Sequence, residues 1–349
     1  MSTSLFSPII PTTGVRIKPE TKELNFSESA PLKLDAVKRE YDFEHLKDRL
    51  YIHWDLLTKC NFHCSYCYSI KDYEQSSQWN KIDNFENQRL IIDAISLAKY
   101  PVFLGLLGGE PTLHPRLLEI LDLIKNKILP KNKDNRLYIT TNGSTNIFKK
   151  IQYIPNVFFL WSIHLEYKDR YGKNFSKVFD NIKMMRDRGF KNRVNFMLVP
   201  DPKYYKDLHF IYNELLKLNV QIHPHFLYKN QLENTELYDY PKEFFDEFKD
   251  FKDVKGNFIY ETDDGYYNLN DYYIFKYKLN NFKGWNCYNN NFEISYDGIV
   301  QNLCKKEQIN ILKDPLYFRK IKLDYMKCPY NQCVCDGLLK ILKVKDGTV

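Results

Sequence analysis

Apolar and polar residues alternate between two periods over the middle of the chain. The run 51–57, YIHWDLL, is short, aromatic and branched, and reads as a strand. Over 85–99, Leu90, Ile91, Ala94, Ile95 and Ala98 recur three and four apart, the spacing of one helix face. The two signals then repeat. A strand is predicted over 101–107, then a helix over 114–127 with Leu117, Leu118, Ile120, Leu121 and Ile124 on its apolar face. Strands follow over 136–141, closed by the turn signal Asn142-Gly143, and over 157–164. A helix over 175–188 ends at Gly189, and a strand over 194–199 stops at Pro200. A helix over 204–218 and a strand over 220–227 complete the series.

Repeated strand–helix units cross over right-handed and build a parallel sheet. Six such strands predict an α/β fold, a partial (β/α)6 TIM-like barrel with one open side. Loops after the strands then gather at one end, where barrel proteins carry their sites. Residues 1–48 are weakly periodic and read as an N-terminal extension, and 49–235 as the barrel. From about residue 236 Tyr, Asn, Asp and Lys dominate and the alternation stops, so 236–349 reads as a small C-terminal Cys-rich domain.

The charge balance is mild. Lys and Arg number 51 against 44 Asp and Glu, a net +7 over 349 residues with no concentrated basic stripe, which argues against a nucleic-acid partner. The opening MSTSLFSPIIPTTG has no basic region followed by an apolar one, so no secretory signal is expected. No apolar run reaches the ~18 residues of a membrane helix. The expectation is a cytoplasmic protein without a membrane partner, in a compartment where thiols stay reduced. Eight cysteines there point to metal ligation or catalysis rather than disulfides.

The cysteines form two groups. Cys60, Cys64 and Cys67 lie on the loop after the first strand, in the spacing CxxxCxxC. Three thiolates on one tight loop can each take one iron of a cubane, leaving the fourth iron without a protein ligand and open to a small chelating molecule. The alternative is a zinc site that borrows His63, although no second cysteine knuckle follows nearby. One strand–helix unit later, Gly108-Gly109-Glu110-Pro111 ends the second strand. Glycines let backbone approach closely, and a carboxylate there can accept hydrogen bonds from an ammonium group.

The second group starts at Cys287. Asp297-Gly298 is a hairpin signal that brings Cys287 and Cys304 together, and Cys328, Cys333 and Cys335 follow. These thiolates suit either an iron–sulfur cluster or a zinc site with four cysteine ligands, and either would staple a segment poor in core periodicity.

CxxxCxxC followed by Gly-Gly-Glu one unit later resembles the radical S-adenosylmethionine (radical SAM) superfamily. The resemblance implies a 4Fe-4S cluster on Cys60, Cys64 and Cys67 whose open iron binds S-adenosyl-L-methionine. It implies that Gly108, Gly109 and Glu110 hold the amino group of that cofactor, and that Tyr66 lies near its adenine. Polar residues at later strand ends would hold the ribose and carboxylate, with Ser162 first and Asn142 second among candidates that include Thr141, His164 and Asn195. Each of these equally fits a polar residue that closes a strand. The second group resembles the shortened twitch form of the SPASM auxiliary-cluster domain. That implies a second, auxiliary 4Fe-4S cluster on Cys287, Cys304 and Cys335 with one of Cys328 or Cys333.

The implied activity is reductive cleavage of S-adenosylmethionine to a 5′-deoxyadenosyl radical that takes hydrogen from a substrate. An external one-electron reductant of the flavodoxin or ferredoxin type is implied. A peptide or protein substrate leads, with a carbohydrate or other small-molecule substrate next. An iron–sulfur redox or regulatory protein without catalysis is the reading of another class, and a Gly-Gly-Glu turn facing an open iron argues against it.

Overall fold

A computed structural model describes residues 21–23, 34–41, 49–67, 81–228, 236–248, 251, 258–269, 271–302, 304, 307–333 and 341–345. Two short strands, β1 (Thr21–Glu23) and β2 (Ala36–Tyr41), precede β3 (Leu50–Leu57). The chain then runs α1 (Phe85–Ser96), β4 (Val102–Gly108), α2 (Leu117–Lys127), β5 (Arg136–Thr141), β6 (Val157–Ile163), α3 (Ser176–Asp187), β7 (Lys191–Leu198), α4 (Tyr205–Leu218) and β8 (Gln221–Phe226). β3 to β8 pair in sequence order and every pair is parallel. All six strands predicted from the sequence are present. β5 and β6 are joined by a short 3-10 turn over Ile147–Lys150 where the other crossovers carry an α-helix.

The helices form where the pattern predicts, with local corrections. α1 starts because the Asn84 side chain accepts the Asn87 N–H at 2.8 Å, satisfying an end donor. Its buried face is Gln88, Ile91, Ile92, Ala94 and Ile95, whereas Leu90 turns outward at 43% exposure. α2 begins at Leu117 rather than 114 because residues 111–113 close a separate 3-10 turn capped by Glu110. Leu118 is likewise at the surface.

Side chains on successive strand residues point to opposite faces. One face, with Leu50, Ile52, Trp54, Leu104, Leu106, Phe159 and Trp161, packs under the helices as the main core. The inward face carries an aromatic row near the strand N-termini: Tyr51, Phe103, Tyr138 and Phe158, with successive ring centroids 5.3, 5.2 and 5.7 Å apart. Gly105 lies under that row; a Cβ there would stand 2.2 Å from the Tyr138 ring. Beyond it, toward the strand C-termini, the same face turns polar with His53, Asp55, Ser162, Asn195 and His223.

The remaining elements are α5 (Lys242–Glu247), β9 (Phe258–Thr262), β10 (Gly265–Leu269), α6 (Asp271–Lys276), β11 (Asn286–Tyr288), β12 (Asn291–Ile294), β13 (Ile299–Asn302), β14 (Glu307–Asn310), α7 (Tyr317–Lys320), β15 (Tyr325–Lys327) and β16 (Lys343–Val344). The expected hairpin at Asp297-Gly298 joins β12 to β13. It does more than bring two cysteines together: β12 pairs parallel with β3, so the main sheet runs β14-β13-β12-β3-β4-β5-β6-β7-β8. The second sheet runs β1-β10-β9-β2-β16-β11-β15, weaving residues from before β3 among C-terminal strands.

Candidate functional site

Cys60, Cys64 and Cys67 lie on the loop that leaves the C-terminal end of β3, and the loop is held from two sides. On one side the end of β4 crosses it. Gly109 N–H donates to the Leu57 carbonyl and Glu110 N–H to the Lys59 carbonyl, both at 2.8 Å. This crossing is why two glycines precede the glutamate. Gly108 has φ +113°, and a Cβ on it would stand 2.1 Å from the Leu57 carbonyl oxygen; one on Gly109 would stand 2.1 Å from that of Lys59. Gly109→Ala is expected to push the cysteine loop away and to cost about 2 kcal/mol of stability, as overpacking against backbone does. A urea unfolding curve would show the lowered midpoint.

On the other side the segment after β6 supplies Glu166 and Tyr167. Ser65 donates its N–H to Glu166 at 2.8 Å and its hydroxyl to the same carboxylate. His63 N–H donates to the Tyr167 hydroxyl at 2.7 Å, and Phe62 stacks on the Tyr167 ring with centroids 4.5 Å apart. Tyr66 lies over His164 in a stacked contact, its hydroxyl 3.2 Å from Nδ1. Within the loop, Cys67 N–H donates to the Cys64 carbonyl at 3.0 Å.

Glu110 is the buried centre of this arrangement, 1% exposed. Its carboxylate accepts from Thr112 N–H at 3.0 Å, the Thr112 hydroxyl, the Thr141 hydroxyl at 2.8 Å and Asn142 N–H at 2.6 Å. Burial pushes the carboxyl above its ordinary range, and the bonds from Asn142, Thr112 and Thr141 oppose that rise. Three of the donors share Oε1, and Asn142 N–H alone bonds Oε2, which keeps room for one more donor. In this structure Glu110 therefore ties the end of β4 to the end of β5. Asn142 is engaged too: its amide donates to Asn61 Oδ1 at 2.9 Å, Asn61 donates to Ser144 Oγ at 2.7 Å, and Ser144 donates back to Asn142 Oδ1 at 2.6 Å. That ring of three side chains fixes the residue that follows Cys60.

Ser162 is buried on the inward face of β6, in register with Asn195 on β7, which is in register with His223 on β8. The Asn195 side-chain oxygen is buried with no hydrogen-bond partner among the described residues. An orphaned acceptor on the same inward face as Ser162 is what a cofactor hydroxyl or amine would satisfy.

Burial governs the protonation of the cysteine-loop thiols. Burial pushes Cys60 up to about 12 and drives Cys64 higher still, with neighbouring charge on Glu110, Glu166 and the other thiols adding to the rise. Thiolates would form here only against compensating positive charge, such as that of a bound metal. Among the described residues no group of three or more His, Cys, Asp or Glu side chains is placed to hold a metal ion. A cubane takes one iron per thiolate, so its thiols do not meet on one ion.

The second cysteine group sits around β11. Cys287, Cys304, Cys328 and Cys333 are all buried. A hydrogen bond with Cys304, followed by burial, pushes Cys287 well above its usual range, and charge on Cys333 adds to it. Cys328 is raised by burial, with further charge from Cys333 and Cys304. Cys328 N–H is held by the Trp285 carbonyl and Cys333 N–H by that of Asn280, both at 2.8 Å. Charge from Cys333 reaches both Cys287 and Cys328, so these thiols share one neighbourhood, although among the described residues no three of them form a group that could hold a metal ion. Cys335 lies outside the described residues.

Three histidines, His114 buried and His164 and His225 half-buried, give the site's surroundings a pH response. Burial lowers His164 and His114 to about 4 and His225 to about 3, from an ordinary 6.5; Arg116 adds to the effect on His114, and His223, Arg193 and His164 to that on His225. Below pH 6.5 the unfolded chain binds protons that the folded chain refuses until about 4. Their contribution to stability is therefore complete above 6.5 and is lost as pH falls. Between pH 6.5 and 5 each is expected to remove up to about 2 kcal/mol, read as a falling urea midpoint.

Asn61, Glu166 and Tyr167 are site residues that sequence reasoning passes over. Asn61 could have been found by its place directly after Cys60. Glu166 and Tyr167 follow the end of β6 by three and four residues, on the same end of the sheet as the cysteine loop.

Residues 55–215 match the family model described as Radical SAM superfamily. No curated protein matches the chain. Similar solved structures include SuiB from Streptococcus suis, at 13% identity over 79% of this chain and 69% of that one, with a TM-score of 0.47. SuiB is also solved with its precursor peptide SuiA, with identity 13%, coverage 79% and 68%, and TM-score 0.47. Another is anSMEcpe with bound AdoMet and the Cp18Cys peptide, at 14% identity over 78% of this chain and 84% of that one, with a TM-score of 0.47. Among the described residues no helix is long and apolar enough to cross a membrane. Residues 55–215, which hold the cysteine loop and its clamp, match the Radical SAM superfamily as a domain of this chain.

Proposed function

We propose that this protein is a radical SAM enzyme that activates a C–H bond of a peptide or protein substrate. The observation that carries the reading is the clamp of Gly109 and Glu110 on the loop of Cys60, Cys64 and Cys67. It fixes three thiols beside a backbone edge that only glycine permits. Cys60, Cys64 and Cys67 would hold a 4Fe-4S cluster, which when bound supplies the electron for cleavage of S-adenosylmethionine to methionine and the 5′-deoxyadenosyl radical. β3 to β8 would curve as a partial (β/α)6 barrel around the substrate. Gly108 and Gly109 would present backbone to the methionine moiety, Glu110 would shape that edge and accept the amino group, and Tyr66 would flank the adenine. Ser162 and Asn195, with Asn142 at the β5 end, would meet the ribose and carboxylate.

Cys287, Cys304, Cys328 and Cys333 would hold a second, auxiliary cluster, with Cys335 as a further ligand candidate. Residues 236–349 would form that twitch-like domain beside a barrel of 49–235. A flavodoxin- or ferredoxin-type donor would supply electrons in the cytoplasm. A twitch-like module favours a peptide substrate; radical oxidation or epimerisation of a carbohydrate or other small metabolite is the alternative. Anaerobic reconstitution with dithionite, iron counting and assay of 5′-deoxyadenosine test the reading. Iron at both cysteine groups with 5′-deoxyadenosine formation supports it; zinc alone at Cys60, Cys64 and Cys67 would sink it.

A further inference from the structure

Arg193 stands on the inward face of the main sheet, one level below the residues given to the cofactor. On β7, Val194 and Phe196 turn to the main core, so Arg193 and Asn195 face inward. Arg193 is in register with Leu160 on β6 and with Gln221 on β8. Ser162 and Asn195 lie two residues nearer the strand C-termini, about 7 Å along the strand. Phe158, at the end of the aromatic row, lies two residues nearer the N-termini than Leu160. Arg193 is therefore placed between the cofactor level and the aromatic floor.

Among the described residues no carboxylate pairs with Arg193, and its side chain makes no hydrogen bond. Nε is buried without a partner, whereas the residue as a whole is half-buried, so the terminal nitrogens are the end a ligand can reach. Beside it, the Gln221 side-chain oxygen is also buried with no hydrogen-bond partner among the described residues. Burial first, then the neighbouring His223 and Arg193, lower His225 on β8 to about 3, so its imidazole is neutral at pH 7 and adds no second charge. The inward carboxyls, Asp55 on β3 and Glu293 on β12, belong to strands four and five places away in the sheet.

A guanidinium inside a protein is ordinarily paired, because alone it leaves donors and a charge uncompensated. Its planar fork of N–H donors matches the two oxygens of a carboxylate. A cationic group there would be repelled, and a neutral one would leave the charge unanswered. Gln221 can bring its NH2 to the same group, since a carboxamide presents either end by a half-turn. We infer that Arg193, supported by Gln221, is the anchor for the substrate, and that the substrate presents a carboxylate to it. This rests on the radical SAM reading of the site, and it adds the charge class of the substrate. S-adenosylmethionine has a carboxylate of its own; the depth of Arg193 below Ser162 and Asn195 is what gives this arginine to the substrate instead.

The test uses the anaerobically reconstituted full chain with S-adenosylmethionine bound. Pentanoate, the neutral pentanamide and butylammonium serve as probes in saturation-transfer NMR titrations. Wild-type protein is expected to bind pentanoate at least about tenfold more tightly than either of the others, and Arg193→Gln to lose that preference while its affinity for pentanamide stays. Equal binding of pentanoate and pentanamide by wild type, or an undiminished preference in Arg193→Gln, would overturn the inference. Equilibrium dialysis separates substrate from cofactor. Arg193→Gln is expected to bind S-adenosylmethionine as wild type does, and a loss of about tenfold would give the arginine to the cofactor and overturn its assignment to the substrate. If Arg193→Gln loses near-UV circular dichroism, the wild-type pentanoate-to-pentanamide ratio decides alone. Iron content and 5′-deoxyadenosine formation in the wild-type preparation report separately on the underlying reading. Acetyl-Gly-Glu-Gly-amide bound more tightly than pentanoate would assign the carboxylate to a peptide; the reverse order would assign it to a small metabolite.

Discussion

Replacing Cys64 by Ala will abolish 5′-deoxyadenosine formation. Cys64 is the middle thiol of the loop, buried to 7% exposure and within charge reach of both Cys60 and Cys67. Alanine fills most of the same space, so the anchors through Glu166, Tyr167 and Gly109 persist and the loop keeps its course. What disappears is one of three thiolates. Loss of outer-shell partners alone costs up to about 100-fold in metal affinity or activity, so loss of a direct ligand should exceed about 100-fold. The measurement is 5′-deoxyadenosine by chromatography on anaerobic protein with excess dithionite. Iron should fall by one cluster, and a cluster on the second cysteine group, if the proposed function holds, should stay. Product above a few per cent of wild type would remove Cys64 from the ligand set.

Glu110→Gln will have the largest effect on stability. The carboxylate accepts four hydrogen bonds in a site with almost no solvent contact. Two of the donors, the Thr112 and Asn142 N–H groups, are backbone and cannot reverse. They bond to different carboxylate oxygens, so whichever end of the glutamine amide carries the NH2 faces a donor. The expected loss is about 3 kcal/mol, the range for breaking a buried charged network. Thr141→Val removes one donor of four and should cost about 1 kcal/mol. Both are read as urea midpoints, and a Glu110→Gln protein as stable as wild type would show that the network is not built as described. A drop in S-adenosylmethionine binding should accompany the loss, because the end of β4 and the cysteine loop move together.

Much of this was legible in the sequence because the physics is local. β3 to β8 each bury a branched or aromatic run, and their helices repeat apolar residues three and four apart. The cysteine loop and the Gly-Gly-Glu turn are contiguous motifs, so their shared place at one end followed from strand order alone. The errors were also physical. Leu90 is apolar but exposed while Gln88 is buried, because Gln88 finds a partner in His114 at 2.9 Å. Helix α2 starts late because Glu110 spends its side chain capping the turn before it. β9 and β10 could have been found from Asp263-Asp264-Gly265, a turn signal between alternating residues. β2 could not, because a six-residue strand with partners more than 200 residues away leaves no local trace. The pairing of β12 with β3 is invisible for the same reason, and it is what puts Glu293 near Asp55.

That long-range weave bears on assembly. β11 carries Cys287 and is flanked by β15 and β16, while β16 also pairs with β2, some three hundred positions earlier in the chain. Such a closure forms late, since distant ends must meet before any contact rewards them. During synthesis the second thiol nest thus stays unsealed on its β16 side until residues 343–344 emerge and dock. The β16 edge of β11 is therefore among the last parts of that sheet to be paired.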